Sequence, residues 1–139
     1  MPMTETEWQE ISGLLAQEIM GFKQKDTYGD GVLFWVSERD NEYLVEPPTS
    51  YAWMDWLVWW PHRDIEQARL VLKTLLAKAG KHAVARISMR PPPGHCLVTI
   101  HNWVATAEAP AILIRSPYVD NEMQAICLAA KEWCNAQIT

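Results

Sequence analysis

The stretch "DIEQARLVLKTLLAKAG", residues 64–80, constrains this chain of 139 residues more than any other. Ile65, Ala68, Val71, Leu72, Leu75 and Leu76 recur at helical spacing. Asp64 is a good N-cap with Gln67 three residues on, and Gly80 supplies the stop. A helix bracketed in this way at the centre rules out an all-β chain. The segments around it alternate apolar and polar residues with a period of two, which rules out an all-α one.

The rest of the chain follows the same two periods. Thr4 and Glu7 have capping-box spacing, and Trp8, Ile11, Leu15, Ile19 and Phe22 follow at helical intervals. A helix is therefore expected over 5–20, stopped by Gly21. "KQKDTYGDG" (23–31) reads as loop, and "VLFWVS" (32–37) and "EYLVEP" (42–47) read as short strands across "ERDN". "HAVARISM" (82–89) and "HCLVTIHNWV" (95–104) form a hairpin signature around "RPPPG". Residues 105–117 read as loop with a brief strand at "AILI". Asp120 is then the expected cap of a last helix, with Met123, Ile126, Cys127, Ala130, Trp133 and Cys134 on one apolar face. The order predicts one α+β domain over 1–139, with three main helices packed on a mostly antiparallel sheet as a layered α/β/α sandwich.

"YAWMDWLVWW" (51–60) carries four of the eight tryptophans and fits either strand or helix. As a strand it places Trp53 and Trp59 on one face and Trp56 and Trp60 on the other. Burial is the default for each ring, worth about 1.5–3 kcal/mol. Four cannot share one side, so either all belong to packed layers or one or two face a partner or ligand.

Bulk properties exclude several classes. Nothing approaches the roughly 20 apolar residues that span a bilayer, and "MPMTETEWQE" has no basic and apolar signal-peptide pattern. Three cysteines without a CxxC suit reduced thiols in a cytoplasm. The net charge of −5 hides an asymmetry: residues 1–60 carry −8 and residues 61–139 carry +3. An acidic protein is poorly suited to binding duplex nucleic acid, yet a local basic patch suits a small anion.

Recognised catalytic patterns are missing. The chain has no GxSxG, P-loop or dinucleotide fingerprint. His95 and Cys96 point to opposite faces of a strand, and His95 and His101 are about 20 Å apart along it. No metal, cofactor or catalytic set is therefore expected. The hairpin is more informative. One face carries Val84, Arg86 and Ser88 opposite His95, Leu97, Thr99, His101 and Trp103; the other is small and apolar. Cationic, hydroxyl and aromatic groups together suit an anionic ligand, a nucleotide among them. The alternative is an ordinary solvent-facing sheet. The candidate ligand residues on this face are Arg86, His95, Thr99, His101 and Trp103.

Three blocks, "AQEIMGFK" (16–23), "WWPHRDIEQARLVLKTL" (59–75) and "AICLAAKEW" (125–133), resemble the bacteriophage ABA sandwich domain family in that order. Members commonly show an "AEKVMGW"-like first helix, an aromatic-"P-S-x-D-I-x-x-A" start to the middle helix and an "A-I-C-x-A-A" closing helix. Here His62 and Arg63 stand where the family has Ser or Thr before the capping Asp, and "RPPPGHC" departs from the pattern. Trp59 and Trp60 belong to the shared block, whereas Trp53 and Trp56 are additional, so the resemblance makes these two the candidate ligand-binding tryptophans. The resemblance implies a helix–sheet–helix fold and a phage origin, and no reaction. The expectation is a non-enzymatic phage accessory protein that binds a small anionic ligand, conceivably a nucleotide signal of host defence. A homo-oligomer, a module that binds a host protein, and a hydrolase are the alternatives.

Overall fold

A computed structural model describes residues 3–26, 28–29, 31–38, 41–46, 56–80, 83–91, 96–102 and 111–138. Helix α1 (Glu5–Glu18) starts on the capping box: the Glu7 N–H donates to Thr4 Oγ1 at 3.2 Å, and the Thr4 N–H donates back to Glu7 Oε1 at 3.5 Å. It closes two residues earlier than expected. Gly21 takes a φ of 70°, and the Phe22 N–H reaches back to Ala16 O at 2.8 Å. Helix α2 (Ile65–Ala79) begins where Asp64 Oδ1 accepts from the Glu66 and Gln67 N–H groups and ends at Gly80. Helix α3 (Glu122–Ile138) is capped by Asn121, whose Oδ1 accepts from the Gln124 N–H at 2.8 Å; the expected cap, Asp120, lies one residue earlier.

Two three-stranded antiparallel sheets take the place of one. The first contains β1 (Lys23–Lys25), β2 (Phe34–Val36) and β3 (Glu42–Leu44); the second contains β4 (Ala83–Met89), β5 (Cys96–Asn102) and β6 (Ala111–Arg115). β1 lies in a stretch expected to be loop. Its residues are all exposed and have no apolar alternation, and an edge strand lined with Lys23 and Lys25 needs none. β6 extends the brief strand expected at "AILI" to Arg115.

The ambiguous tryptophan segment is fastened by a single parallel bridge, Val58 to Leu44. The Leu44 N–H donates to Leu57 O at 2.7 Å, and the Trp59 N–H donates to Leu44 O at 2.9 Å. Residues 51–55 lie outside the described ones. Over 56–60 the two-residue alternation holds. Trp59 enters the main core and donates its Nε1–H to Ser12 O at 2.8 Å, while Trp56, Val58 and Trp60 turn to a smaller cluster around Phe34 and Leu44.

Helix α3 is the centre of the molecule. It packs against α1, α2, β5 and β6, and six consecutive residues from Ala125 to Ala130 are buried, so over that stretch the helix is apolar and covered on every side. Cys96, Val98 and Ile100 of β5 face this core. All three thiols are buried and free, and burial pushes each pKa up, Cys134 to about 11. They pack as small apolar groups.

His62 and Arg63 tie the start of α2 to α1. The His62 ring stacks on Trp8 with centroids 5.2 Å apart, and its Nδ1 lies 3.3 Å from Ser12 Oγ. Its Nε2 is 3.5 Å from Glu5 Oε2 without hydrogen-bond geometry, while Arg63 Nη2 donates to Glu5 Oε1 at 2.6 Å. Burial lowers the His62 pKa more than the Glu5 carboxylate raises it, so the ring is neutral near pH 7.

Candidate functional site

Cross-strand register brings together part of the cationic face expected from the hairpin. Arg86 pairs with Thr99, and Thr99 pairs with Arg115, so one row across the second sheet presents guanidinium, hydroxyl and guanidinium on the same face. Neighbouring rows place Ser88 beside Leu97 and Val84 beside His101. A concavity of about 600 Å³ lies over this face, with Arg86, Thr99, His101 and Arg115 in its lining. Thr99 is buried on the central strand, whereas Arg86 and Arg115 are exposed on the flanking strands.

The chain beyond β6 builds one end of the concavity. The Ser116 N–H donates to Val98 O and Ser116 Oγ accepts from the Val98 N–H, both at 2.9 Å; the hydroxyl in turn donates to Pro117 O. Reciprocal 2.8 Å bonds between Cys96 and Val119 continue the attachment. Tyr118 is thereby held beside the concavity, with the Arg90 guanidinium carbon 3.6 Å from its ring centroid. A register shift between Ile100 and His101 interrupts the pairing of β5 with β6 at the other end.

The chemistry of this face is one-sided. Among the described residues no carboxylate lines it, and neither Arg86 nor Arg115 has an ion-pair partner. Both ring nitrogens of His101 are buried without a hydrogen-bond partner among the described residues. Two guanidinium forks, hydroxyls and an imidazole are donors suited to oxyanions. Among the described residues, no three His, Cys, Asp or Glu side chains gather to hold a metal ion. No described helix is long and apolar enough to cross a membrane.

The structure therefore brings together Arg86, Thr99 and His101. Trp56 lies elsewhere, packed edge-to-face on Phe34 at 5.2 Å and on Tyr28 at 5.7 Å. His95, Trp103 and Trp53 lie outside the described residues. Arg115, Ser116 and Tyr118 were not among the expected ligand residues. The alternation of "AILIR" contains the missing signal for Arg115, because Ile114 packs toward the core and the next residue must point away.

No family model matches the chain, and no curated protein does. Among solved structures, a phage protein from Bacillus cereus ATCC 14579 superposes with a TM-score of 0.50 at 14% identity, covering 93% of this chain and 90% of that one. At that identity the likeness is one of fold and transfers no site residue.

Proposed function

We propose that this is a phage accessory protein, acting in the cytoplasm of a bacterial host, whose second sheet holds a small anionic ligand without turning it over. The observation that carries the reading is the Arg86–Thr99–Arg115 row, two guanidiniums flanking a hydroxyl in a concavity where, among the described residues, neither has an ion-pair partner and no carboxylate is present. The Arg90–Tyr118 stack beside it offers a flat surface for a base, so a nucleotide is the preferred class of ligand. Membership of the ABA sandwich family and sequestration of a nucleotide signal of host defence belong to the same proposal. The phage protein of shared fold and the three sequence blocks support its phage part.

A thermal-shift series with inorganic phosphate, AMP, ADP and cyclic mononucleotides tests it. A ligand at 100 times its dissociation constant stabilises the fold by about 2.7 kcal/mol. A shift that disappears in Arg86→Ala and Arg115→Ala supports the site. No shift with any of these anions, or one that both variants retain, overturns it.

A further inference from the structure

We propose that the groove between α1 and the first sheet docks an arginine-bearing, extended segment of a partner protein, at a site separate from the cationic face. The groove encloses about 490 Å³, and its charges are opposite in sign to those of the other concavity. Among the described residues Glu5, Glu10 and Glu46 line it and no Lys or Arg does; the half-buried indole of Trp60 stands in its wall, with Trp35 and Trp59 nearly buried at its floor. Carboxylates beside indoles are the combination that holds a guanidinium, through paired hydrogen bonds on one side and ring contact on the other.

The chain supplies its own example. Arg63 donates to Glu5 at 2.6 Å while its guanidinium carbon lies 5.5 Å from the centroid of the Trp60 ring. Glu10 and Glu46 have no ion pair among the described residues, so two carboxylates remain for an incoming cation. His62 also lines the groove; it is 5% exposed, and its buried Nε2, 3.5 Å from Glu5 Oε2, has no hydrogen-bond partner among the described residues.

Length favours a peptide over a free amine. From Glu5 to Gln17 the α1 side of the groove runs about 18 Å at 1.5 Å per residue, the span of roughly five or six extended residues. The side-chain amides of Gln9, Gln17 and Gln24 along it can bond to a peptide backbone. The −8 carried by residues 1–60 would also draw a basic segment to this half of the molecule.

The full chain titrated with the peptide Ac-GRGRGRG-NH2 tests this, read by intrinsic tryptophan fluorescence and by calorimetry. Saturable binding is expected at about 50 mM salt, weakening as screening increases. It should be about tenfold weaker in Glu10→Gln/Glu46→Gln, whose altered side chains are exposed. Arg86→Ala should bind the peptide unchanged, which separates this site from the anion site. Absence of saturation, an unchanged affinity in the double variant, or loss in Arg86→Ala overturns the proposal. So does argininamide binding as tightly as the peptide, because the site would then take a lone cation.

Discussion

Gln67 shows how much one buried polar side chain can organise. It is 5% exposed, its Nε2 donates to Val58 O, and its Oε1 accepts from the Trp60 N–H, both at 2.8 Å. These bonds lock the extended 58–60 segment onto α2. Gln67→Leu leaves both backbone groups without that partner and is expected to cost about 2–4 kcal/mol, read as a lower urea midpoint at unchanged slope. The sequence places Gln67 three residues after Asp64 and so suggests a helix-start role. Its actual partners are fixed only by where the tryptophan segment runs, which local pattern does not contain. His62 gives a second prediction. Its folded pKa is lowered below 6.5 by burial, so between the two values the unfolded chain binds more protons. Its contribution is complete above about pH 6.5 and lost as pH falls toward the folded value. Urea midpoints should therefore fall between pH 7 and pH 5, and His62→Gln should flatten that part of the profile. Glu5, held below its usual 4.5 chiefly by Arg63, adds a loss only at more acid pH, so the variant should keep that later decline.

The elements were legible to different degrees, and the differences have physical causes. Helices α1 and α2 carry both periodicity and caps in the sequence, and both begin where those signals fall. The start of α3 was expected one residue too early, at Asp120; Asn121 is an equally good N-cap, and its Oδ1 is the one that accepts from the Gln124 N–H. Asn121→Ala should cost about 1 kcal/mol, as thermal or urea unfolding would record. The polar strand β1 had no pattern to reveal it, since its pairing with β2 is a backbone matter. That the strands divide into two sheets was equally hidden. Alternation fixes which residues share a face, and strand partnership depends on the whole chain. The same distinction runs through the candidate site: Arg86, Thr99 and His101 share a face by hairpin alternation alone, whereas Arg115 joins them only once β6 is paired with β5.

At the scale of the molecule, two concavities of opposite charge lie on different sheets, and the cationic one has a consequence for stability. Arg86 and Arg115 each flank Thr99, which puts their backbones roughly 10 Å apart at the usual strand spacing. Two like charges at that distance repel by about 0.4 kcal/mol in water, and no described carboxylate offsets them. A bound anion would reverse the sign of that contribution; without one, the pair is a small standing cost, as the proposed anion site requires. Arg115→Gln should therefore raise the unfolding temperature by about 1–2 °C at low ionic strength in an anion-poor buffer. The gain should shrink as salt shortens the screening length to below the charge separation. Added phosphate should stabilise the parent protein and leave Arg115→Gln nearly unmoved, so the order of stability should invert as phosphate is raised. If Arg115→Gln is less stable than the parent at every phosphate concentration, Arg115 is a packing residue and the two guanidiniums do not act as a pair.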